Sequence, residues 1–453
     1  MKREGCVMIM NKKLIVGAAV IAFGATVASS QEIATWAGFR KGAASFTFDD
    51  GAPSHVTDGA PVFDKYGYKG TFNLVYNWNP NWSGFQQMAN NGHEIASHSN
   101  SHGNNMSGEE ASSKTNIQGK INQDGGIITV AYPNCNVPNQ SAVNQNYIAG
   151  RICNGSWQGV SDIMGKDGPS DWTKVPALMT GSEGSIKSTS DFTGQMQKAM
   201  QQNGWVMFLT HGFQGKSNGS ATYSPTDLSA IDGALSWAKQ NDADIWITTF
   251  RDGVMYVKER KASKIETVSG AAAGTMEFKL THNIADNICK YQYPLSIRVK
   301  NSNNWTKVTA TQNSKAIDVS IKDGYIYFDA VPNGGNIVLT SGDAPAPASS
   351  SSAAAPASSS SIAAPASSSS AIAPASSSSG TLAIGNNVVM NVVSGVVKCS
   401  VFDVNGHLLK SSYTAAGAAN DMWNRVNVGL GAGVYIMRYG EVGKTMQTVR
   451  VRK

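Results

Sequence analysis

The sequence predicts an α/β protein built on a mainly parallel sheet or barrel and followed by all-β modules. Strand-like and helix-like runs alternate over residues 47–250, as expected for β-α-β units. Short strand-like runs without helical segments fill residues 263–342 and 381–453. A tract rich in serine, alanine and proline, residues 344–380, separates the last module from the rest and cannot bury a core of its own.

The first thirty residues have the pattern of a secretory signal peptide. Lys12 and Lys13 precede a short apolar run, residues 14–28, and small residues follow that run. The run is too short for a comfortable membrane span. We therefore expect cleavage after Ser30, no integral membrane span in the remaining chain, and a secreted or cell-surface protein.

Length and composition limit the choice of domains and partners. The 453 residues exceed what one hydrophobic core holds, so several domains are expected. The formal net charge of +6 lies largely near the two ends of the chain. Because no stripe of basic residues interleaved with aromatic ones lies between them, nucleic acid is not an expected partner. Export permits a disulfide between Cys135 and Cys153, although their spacing leaves the pairing open.

Changes of pattern divide the chain into five segments. They are the leader (1–30), an α/β domain (31–262), an accessory β domain similar to a small sandwich (263–343), the linker (344–380) and a C-terminal β module (381–453). The C-terminal module contains two strand pairs, and Asn405-Gly406 is a strong hairpin signal in the first. Its pattern VFDVNGHLLK…LGAGVYIMRY resembles the sorting or attachment modules of secreted proteins from fibre-degrading and gliding bacteria. That resemblance implies contact with secretion or cell-surface machinery.

Two adjacent carboxylates follow the first strand of the α/β domain. Residues 44–48 are short, β-branched and aromatic, which predicts a buried strand, and Gly51 begins a turn. Asp49 and Asp50 thus lie at the end of a strand. This stretch alone leaves three roles open: a helix cap, a metal ligand or a catalytic pair. Neighbours on an extended chain point to opposite sides, so the turn at Gly51 must twist both side chains toward one rim.

Further elements follow in order along the α/β domain. Strands are predicted at residues 70–78, 205–212 and 244–250. An amphipathic helix is predicted over residues 226–241, where apolar side chains recur at helical spacing.

Three histidines add to the carboxylates. His98 and His102 are four residues apart, a spacing that on a helical turn lets both imidazoles bind one metal. This spacing alone is weak evidence, since two solvated histidines on a polar helix are commoner. Asp50, His98 and His211 each follow an apolar strand-like run, however, and the strand ends of one sheet converge at one rim. The sequence therefore predicts a metal site there.

Four stretches carry a family resemblance. TFDDG, HEIASHSNSH, AYPNC and FLTHG occur in the order and spacing of the NodB-homology polysaccharide deacetylases, carbohydrate esterase family four. The chain resembles this family over residues 43–255. The resemblance implies a distorted (β/α) barrel with fewer than eight strands, a divalent metal, for which zinc is expected, and hydrolysis of acetyl groups on an acetylated polysaccharide.

The resemblance also assigns roles to residues. Asp50, His98 and His102 would hold the metal, Asp49 would be the general base and His211 the general acid. The acetyl methyl would contact Leu209, and the backbone N–H of Asn134, beside Tyr132, would face the oxyanion. The family's arginine two residues before the proline is Ala131 here, and Arg151 is the candidate substitute. Asp171 and Trp172 are the candidates for the Asp and Trp that tune the catalytic histidine.

The sequence leaves several alternatives open. O-acetyl groups of xylan and N-acetyl groups of glucosamine polymers fit the motifs equally well. A catalytically inactive carbohydrate-binding or surface-attachment protein is the rival class. Trp78 and Trp82 either stack on sugar rings or pack in their loop, while His55 is expected on the surface at a helix start and His93 in a structural role.

Overall fold

The computed structural model describes residues 30–342 and, in the C-terminal module, the strand segments 382–383, 396–402, 408–415, 434–441 and 447–452. Nearly all of the leader and the whole linker lie outside the described residues. The chain divides into two units, Met1–Ser350 and Ser351–Lys453. Within the part of the chain that is described, no helix combines the length and apolar character needed to cross a bilayer.

After a short first strand, β1 (Gln31–Ile33), the first unit forms a nine-stranded, mainly parallel sheet. Its strands are β2 (Gly42–Phe48), β3 (Thr71–Leu74), β4 (Glu94–Ser97), β5 (Thr129–Ala131), β6 (Ala149–Arg151), β7 (Ile163–Met164), β8 (Leu178–Met179), β9 (Trp205–Thr210) and β10 (Ile245–Ile247). The order is β6-β5-β4-β3-β2-β9-β7, with β10 beside β2 and β8 beside β9. The prediction of an α/β domain is confirmed.

Residues 172–179 bring the two ends of this sheet together. On one side, the N–H of Gly150 in β6 donates to the carbonyl of Trp172, and the N–H of Ile152 donates to that of Val175. On the other side, β8 at the end of the same segment pairs in parallel with β9. The sheet therefore curls into the distorted barrel that the resemblance implied.

Seven α-helices are described in the first unit, and most pack a buried face against the barrel. They are α1 (Ala60–Tyr66), α2 (Trp82–Asn90), α3 (Glu110–Gln118), α4 (Gln140–Asn146), α5 (Thr189–Gln201), α6 (Leu228–Gln240) and α7 (Phe250–Ala262). The predicted amphipathic helix is α6, which begins after Asp227, whose side chain accepts the N–H of Ser229. Its buried stripe includes Ile231 and Leu235.

The central strand of the barrel is β2, and every one of its residues is buried. Strands covered on both faces are apolar throughout, which explains why residues 44–48 lack strict alternation. The ring of Phe46 lies within 6 Å of those of Phe63, Phe192 and Phe208, so strands and helices share one core. This packing fixes the position of the end of β2, and therefore that of Asp49, which directly follows it.

A β-sandwich follows the barrel. Its strands are β11 (Lys264–Thr267), β12 (Thr275–Thr281), β13 (Leu295–Lys300), β14 (Val308–Gln312), β15 (Lys315–Ile317), β16 (Val319–Lys322), β17 (Tyr325–Ala330) and β18 (Ile337–Ser341). Two sheets, β1-β13-β17-β16 and β11-β12-β18-β14-β15, enclose a core that includes Phe278, Ile297 and Leu339. Residues 31–33, which the sequence pattern grouped with the α/β domain, form β1 and pair antiparallel with β13.

The C-terminal unit contains one sheet in the order β19-β23-β22-β20-β21. Its strands are β19 (Leu382–Ala383), β20 (Val396–Phe402), β21 (Leu408–Ala415), β22 (Val434–Glu441) and β23 (Gln447–Arg452). The pairs β20–β21 and β22–β23 are antiparallel, as the two predicted hairpins require. The hairpin turns themselves, including Asn405-Gly406, lie outside the described residues.

Gly150→Ala tests the packing of the barrel wall. A Cβ at Gly150 would overlap the hydroxyl oxygen and Cζ of Tyr132, whose ring is buried and cannot move aside. We expect a loss of about 1–3 kcal/mol of unfolding free energy, measured by urea denaturation. Gly194→Ala in α5 meets open space and should be neutral or stabilising by about 0.5–1 kcal/mol. Equal stabilities for the two variants would contradict the packing.

Candidate active site

A pocket of about 400 Å³ opens at the rim where β2 and β9 end. Eight sequence-predicted residues line it: Asp49, Asp50, His98, His102, Tyr132, Asn134, Leu209 and His211. Eight others complete the lining: Trp78, Cys135, Cys153, Trp157, Met179, Ser220, Thr222 and Tyr223. The expected convergence of strand ends at one rim is therefore present in the fold.

The backbone at Asp50 turns both carboxylates into the pocket. Asp50 has a φ of 75°, in the left-handed region that non-glycine residues seldom occupy, and Gly51 follows with a φ of 64°. The twist was predicted at Gly51, whereas the backbone of Asp50 already makes it. Such left-handed positions cost free energy and are concentrated at functional sites.

Asp50, His98 and His102 form a candidate metal site, because one ligand atom of each lies within 4.8 Å of the others. Oδ1 of Asp50 lies 3.5 Å from Nε2 of His98 and 3.4 Å from Nε2 of His102. This oxygen is buried and has no hydrogen-bond partner among the described residues. One carboxylate and two imidazoles are a donor set that suits zinc and similar divalent ions.

The electrostatics of Asp50 also fit a cation. Burial, and then the neighbouring charge of Asp49, raise the pKa of Asp50 to about 8. Two adjacent buried carboxylates are costly to ionise together unless a positive charge compensates them. The residues present therefore fit a divalent ion.

The segment from His98 to His102 is a loop and not the helical turn that the four-residue spacing predicted. Ser99 and His102 are left-handed, with φ of 72° and 52°. The Glu109 carboxylate accepts the N–H groups of residues 100 and 101 and so pins the loop. Backbone reversals in a pinned loop, rather than helical periodicity, bring the two imidazoles together.

Each histidine of the pair is oriented by a neighbour. Nδ1 of His98 lies 2.9 Å from the carbonyl oxygen of Ala131, which can only accept, so Nδ1 carries the proton and Nε2 is free to bind a metal. The ring of Trp78 stacks on His102 at 4.8 Å between centroids. Trp82, by contrast, packs beside Tyr76 and donates to Asn79.

Asp49 is held by an ion pair with Arg151 at the end of β6, and both side chains are buried. Its other oxygen accepts a 2.8 Å hydrogen bond from Nδ2 of Asn73. Burial alone would raise the pKa of Asp49, but Arg151, followed by His98 and His211, lowers that pKa well below its usual range. Asp49 is thus ionised and fixed in orientation, and Arg151 supplies the charge that Ala131 lacks.

His211 follows β9 and lies in the same pocket. Burial lowers its pKa, although the charge of Asp49 acts in the opposite direction. Its Nδ1 is buried and has no hydrogen-bond partner among the described residues. Its carbonyl oxygen lies 2.8 Å from Nε2 of His55, which is buried, so the expectation of a surface His55 is wrong. His93 is also buried, and its Nδ1 accepts the N–H of Gly70.

Asp171 and Trp172 do not line the pocket. Asp171 accepts hydrogen bonds from Gln140 and from the N–H of Thr173, and Lys258 lies over the ring of Trp172. Trp172 begins the wall segment 172–179, and Asp171 directly precedes it. This segment runs parallel to β6 and β9 and reaches the pocket only at Met179. Both residues therefore sit at the opposite end of the barrel wall from His211.

Cys135 and Cys153 form a disulfide at the pocket, with their Cα atoms 5.2 Å apart. The bridge ties the strained turn that contains Asn134 and Cys135, with φ of 54° and 62°, to the end of β6. The side chain of Asn134 also donates to the carbonyl of Gly103, in the loop that carries the histidine pair. The turn that presents the backbone of Asn134 is thereby fixed from two sides.

Trp157 and Tyr223 line the pocket but were not predicted from the sequence to do so. Trp157 lies in a short 3-10 turn, Gly155–Gln158, and Tyr223 lies in a loop. Each is a single aromatic residue, so no periodicity or motif distinguishes it. Only the fold brings these loops to the rim.

Arg151→Met tests the buried ion pair. Removing the guanidinium leaves the Asp49 carboxylate buried without its main counter-charge, a change that costs about 3–5 kcal/mol in comparable pairs. We expect that loss in urea unfolding. The double variant Asp49→Asn/Arg151→Met should recover a large part of it, because no unpaired charge then remains. If the double variant instead lost the sum of the unfolding free energies lost by Arg151→Met and by Asp49→Asn alone, the pairing would be contradicted.

Zinc binding tests the metal site. Added zinc should raise the melting temperature of the wild type, since a ligand at a hundred times its Kd stabilises by about 2.7 kcal/mol. His98→Ala should lose this increase, and His282→Ala, whose imidazole lies in the sandwich, should retain it. An increase that survives His98→Ala would place the metal elsewhere.

Parts of this chain are similar to known proteins. Residues 38–137 match the family model described as polysaccharide deacetylase. A gellan lyase from Bacillus is 25% identical over 337 residues, which are 70% of this chain and 13% of that protein. The chain thus spans a small part of this curated relative.

Two solved structures are also similar. The Xyl-CE4 domain of a multidomain xylanase from the hindgut metagenome of Trinervitermes trinervoides is 21% identical, with a TM-score of 0.30, over 47% of this chain and 89% of that domain. A family 4 acetyl xylan esterase from Clostridium thermocellum is 18% identical with the same TM-score and coverages. The family match over residues 38–137 includes Asp49 and all three residues of the candidate metal site, so this part of the chain is similar to polysaccharide deacetylases.

Proposed function

We propose that this protein is a secreted, metal-dependent hydrolase that removes acetyl groups from a polysaccharide. The observation that carries the proposal is the clustering of the Asp50, His98 and His102 ligand atoms within 4.8 Å, beside an ionised Asp49. His211 lies in the same pocket and supplies a second titratable group. The predicted leader and the Cys135–Cys153 disulfide support export, because disulfides persist in oxidising compartments.

Asp50, His98 and His102 would hold the metal, and zinc is the expected ion. When bound, the ion supplies a Lewis acid toward the acetyl carbonyl and lowers the pKa of water beside it. The hydrogen bond of His98 to Ala131 and the stacking of Trp78 on His102 keep both imidazoles in place for this task.

Asp49 would accept the proton of the attacking water. It is suited to this role because Arg151 keeps it ionised, while Asn73 and Arg151 together hold both of its oxygens. Orientation matters as much as charge, since a general base must lie within hydrogen-bond reach of the proton it takes. The backbone N–H of Asn134 would face the oxyanion that develops on the acetyl carbonyl.

His211 would donate a proton to the departing sugar nitrogen or oxygen. Burial lowers the pKa of His211 and so favours its neutral form. The protonated imidazole therefore gives up its proton to a leaving group more readily. Leu209, buried in the same pocket, would contact the acetyl methyl. The groups at the metal serve O-acetyl and N-acetyl substrates alike, so we include both acetylated xylan and N-acetylglucosamine polymers in the proposal.

Acetate release tests the function. Wild-type protein loaded with zinc should release acetate from acetyl-xylan or from chitooligosaccharides, and a chelator should stop the reaction until zinc is restored. Asp49→Ala and His211→Ala should each lower kcat by about 10²–10⁴-fold, the contribution of a positioned acid or base.

Asp171→Asn is the matched control for these variants. It changes a carboxylate at the other end of the barrel wall, so its activity should stay close to that of the wild type. If the folded wild type releases no chelator-sensitive acetate from any of these substrates, the hydrolase proposal fails. The rival interpretation, a carbohydrate-binding or surface-attachment protein, would then be preferred.

A further inference from the structure

Two aromatic side chains stand exposed at the mouth of the pocket. Trp157 is 63% exposed and Tyr223 is 55% exposed, and within the described part of the first unit they are the large hydrophobic side chains left open to solvent. Both line the pocket that holds the candidate metal ligands. Exposed apolar side chains that converge on one functional pocket indicate a binding surface rather than scattered surface residues.

We propose that Trp157 and Tyr223 bind the pyranose rings that flank the acetylated sugar, so that the site takes a stretch of a neutral polysaccharide rather than a single sugar. This inference rests on the proposed function and adds the substrate class to it. The faces of aromatic rings suit the apolar C–H faces of pyranoses. They also bury much area with little loss of side-chain freedom.

The loop that carries Trp157 is held rigid although its indole is exposed. The N–H of Val160 donates to the carbonyl of Gly155, which closes the loop around the tryptophan. Nε2 of Gln158 donates to the carbonyl of Cys135, and Oδ1 of Asn154 accepts the N–H of Met179. An exposed ring on a fixed backbone is preorganised to bind, because little ordering remains to be done.

The loop that carries Tyr223 is fixed in a similar way. The next residue, Ser224, is buried and left-handed with a φ of 46°, and its hydroxyl donates to the carbonyl of Thr180. The ring of Tyr223 meets that of His211 edge to face at 5.5 Å. A sugar on Tyr223 would therefore lie beside the proposed general acid.

Trp78 differs from these two residues, since its ring already stacks on His102. It positions a metal ligand and is not part of the proposed sugar surface. Among the described residues, neither Trp157 nor Tyr223 stacks face to face on another ring, and both are more than half exposed, so ring surface is available to a ligand.

Within the described ranges, the mouth of the pocket offers no cationic side chain to an acidic sugar. In the described structure its lining contains Asp49 and Asp50 but neither lysine nor arginine. The polar groups near the aromatic residues are the uncharged Ser220, Thr222 and Asn134. A carboxylated sugar would find no cationic partner at the mouth, whereas hydroxyl and acetamido groups would find hydrogen-bond partners.

Turnover by the zinc-loaded protein provides the first test. Trp157→Ala and Tyr223→Ala should each raise KM about tenfold for N-acetylglucosamine hexamer or acetylated xylohexaose, an effect typical of a lost aromatic anchor. The kcat/KM of Trp157→Ala for p-nitrophenyl acetate, which has no flanking sugars, should not change. Trp157→Tyr should restore much of the hexamer KM, and Ser156→Ala, on the same loop, should match the wild type. Equal losses by Trp157→Ala on hexamer and p-nitrophenyl acetate, or no loss on either, would overturn the inference.

Binding provides a second test that needs no catalysis. Calorimetric titration of zinc-loaded His211→Ala, whose turnover is expected to be slow, with each hexamer should show affinity that falls about tenfold when Trp157→Ala is added. Oligogalacturonate, an acidic hexamer, should bind more weakly than the neutral ones. Hexamer binding that ignores Trp157, or tighter binding of the acidic hexamer, would overturn the inference. Trp157-dependent binding without any acetate release by the wild type would uphold the inference and remove the proposed function.

Discussion

The buried ion pair between Asp49 and Arg151 determines how the rest of the site is arranged. It joins the end of β2 to the end of β6, across the mouth of the barrel. Because the guanidinium compensates Asp49, that carboxylate stays ionised although it is buried. Asp50 beside it has no such partner. One acid is thus supplied with a permanent counter-charge, and the other is left for a cation.

The rigid barrel holds the strained backbone of the pocket rim in place. Asp50, Ser99, His102 and Asn134 are all left-handed, and such positions cost about 1–3 kcal/mol each in sparsely populated regions. They persist because the surroundings leave the chain no alternative: the Glu109 carboxylate pins the histidine loop, and the disulfide holds the turn after Asn134. The aromatic core under β2 provides the fixed base on which these loops rest.

The parts of the site that depend on local sequence pattern could be predicted from the sequence. Alternating strand-like and helix-like runs predicted an α/β domain with a parallel sheet or barrel, and the family resemblance implied the distorted barrel. The residues that end the apolar runs predicted the convergence of Asp50, His98 and His211. Features set by distant parts of the chain were harder to predict. His55 looked like a surface residue because nothing local reveals that Phe213 and Phe72 enclose it. Asp171 was a plausible partner for His211 because a linear sequence does not show at which end of a wall segment a residue falls. The aromatic pair at the pocket mouth left no signal at all.

The pairing of β1 with β13 has a consequence for how the first unit is assembled. The strand Gln31–Ile33 precedes the barrel in the chain but belongs to the sheet completed by the sandwich. During synthesis β1 has no partner until residues 297–299 have left the ribosome. In sequence, the whole barrel therefore lies between two strands that pair with each other. Contacts so distant in sequence slow folding. They also make barrel and sandwich interdependent. If the chain were cut between α7 and β11, the barrel fragment would keep β1 without its partner β13, and the edge of β1 would be exposed.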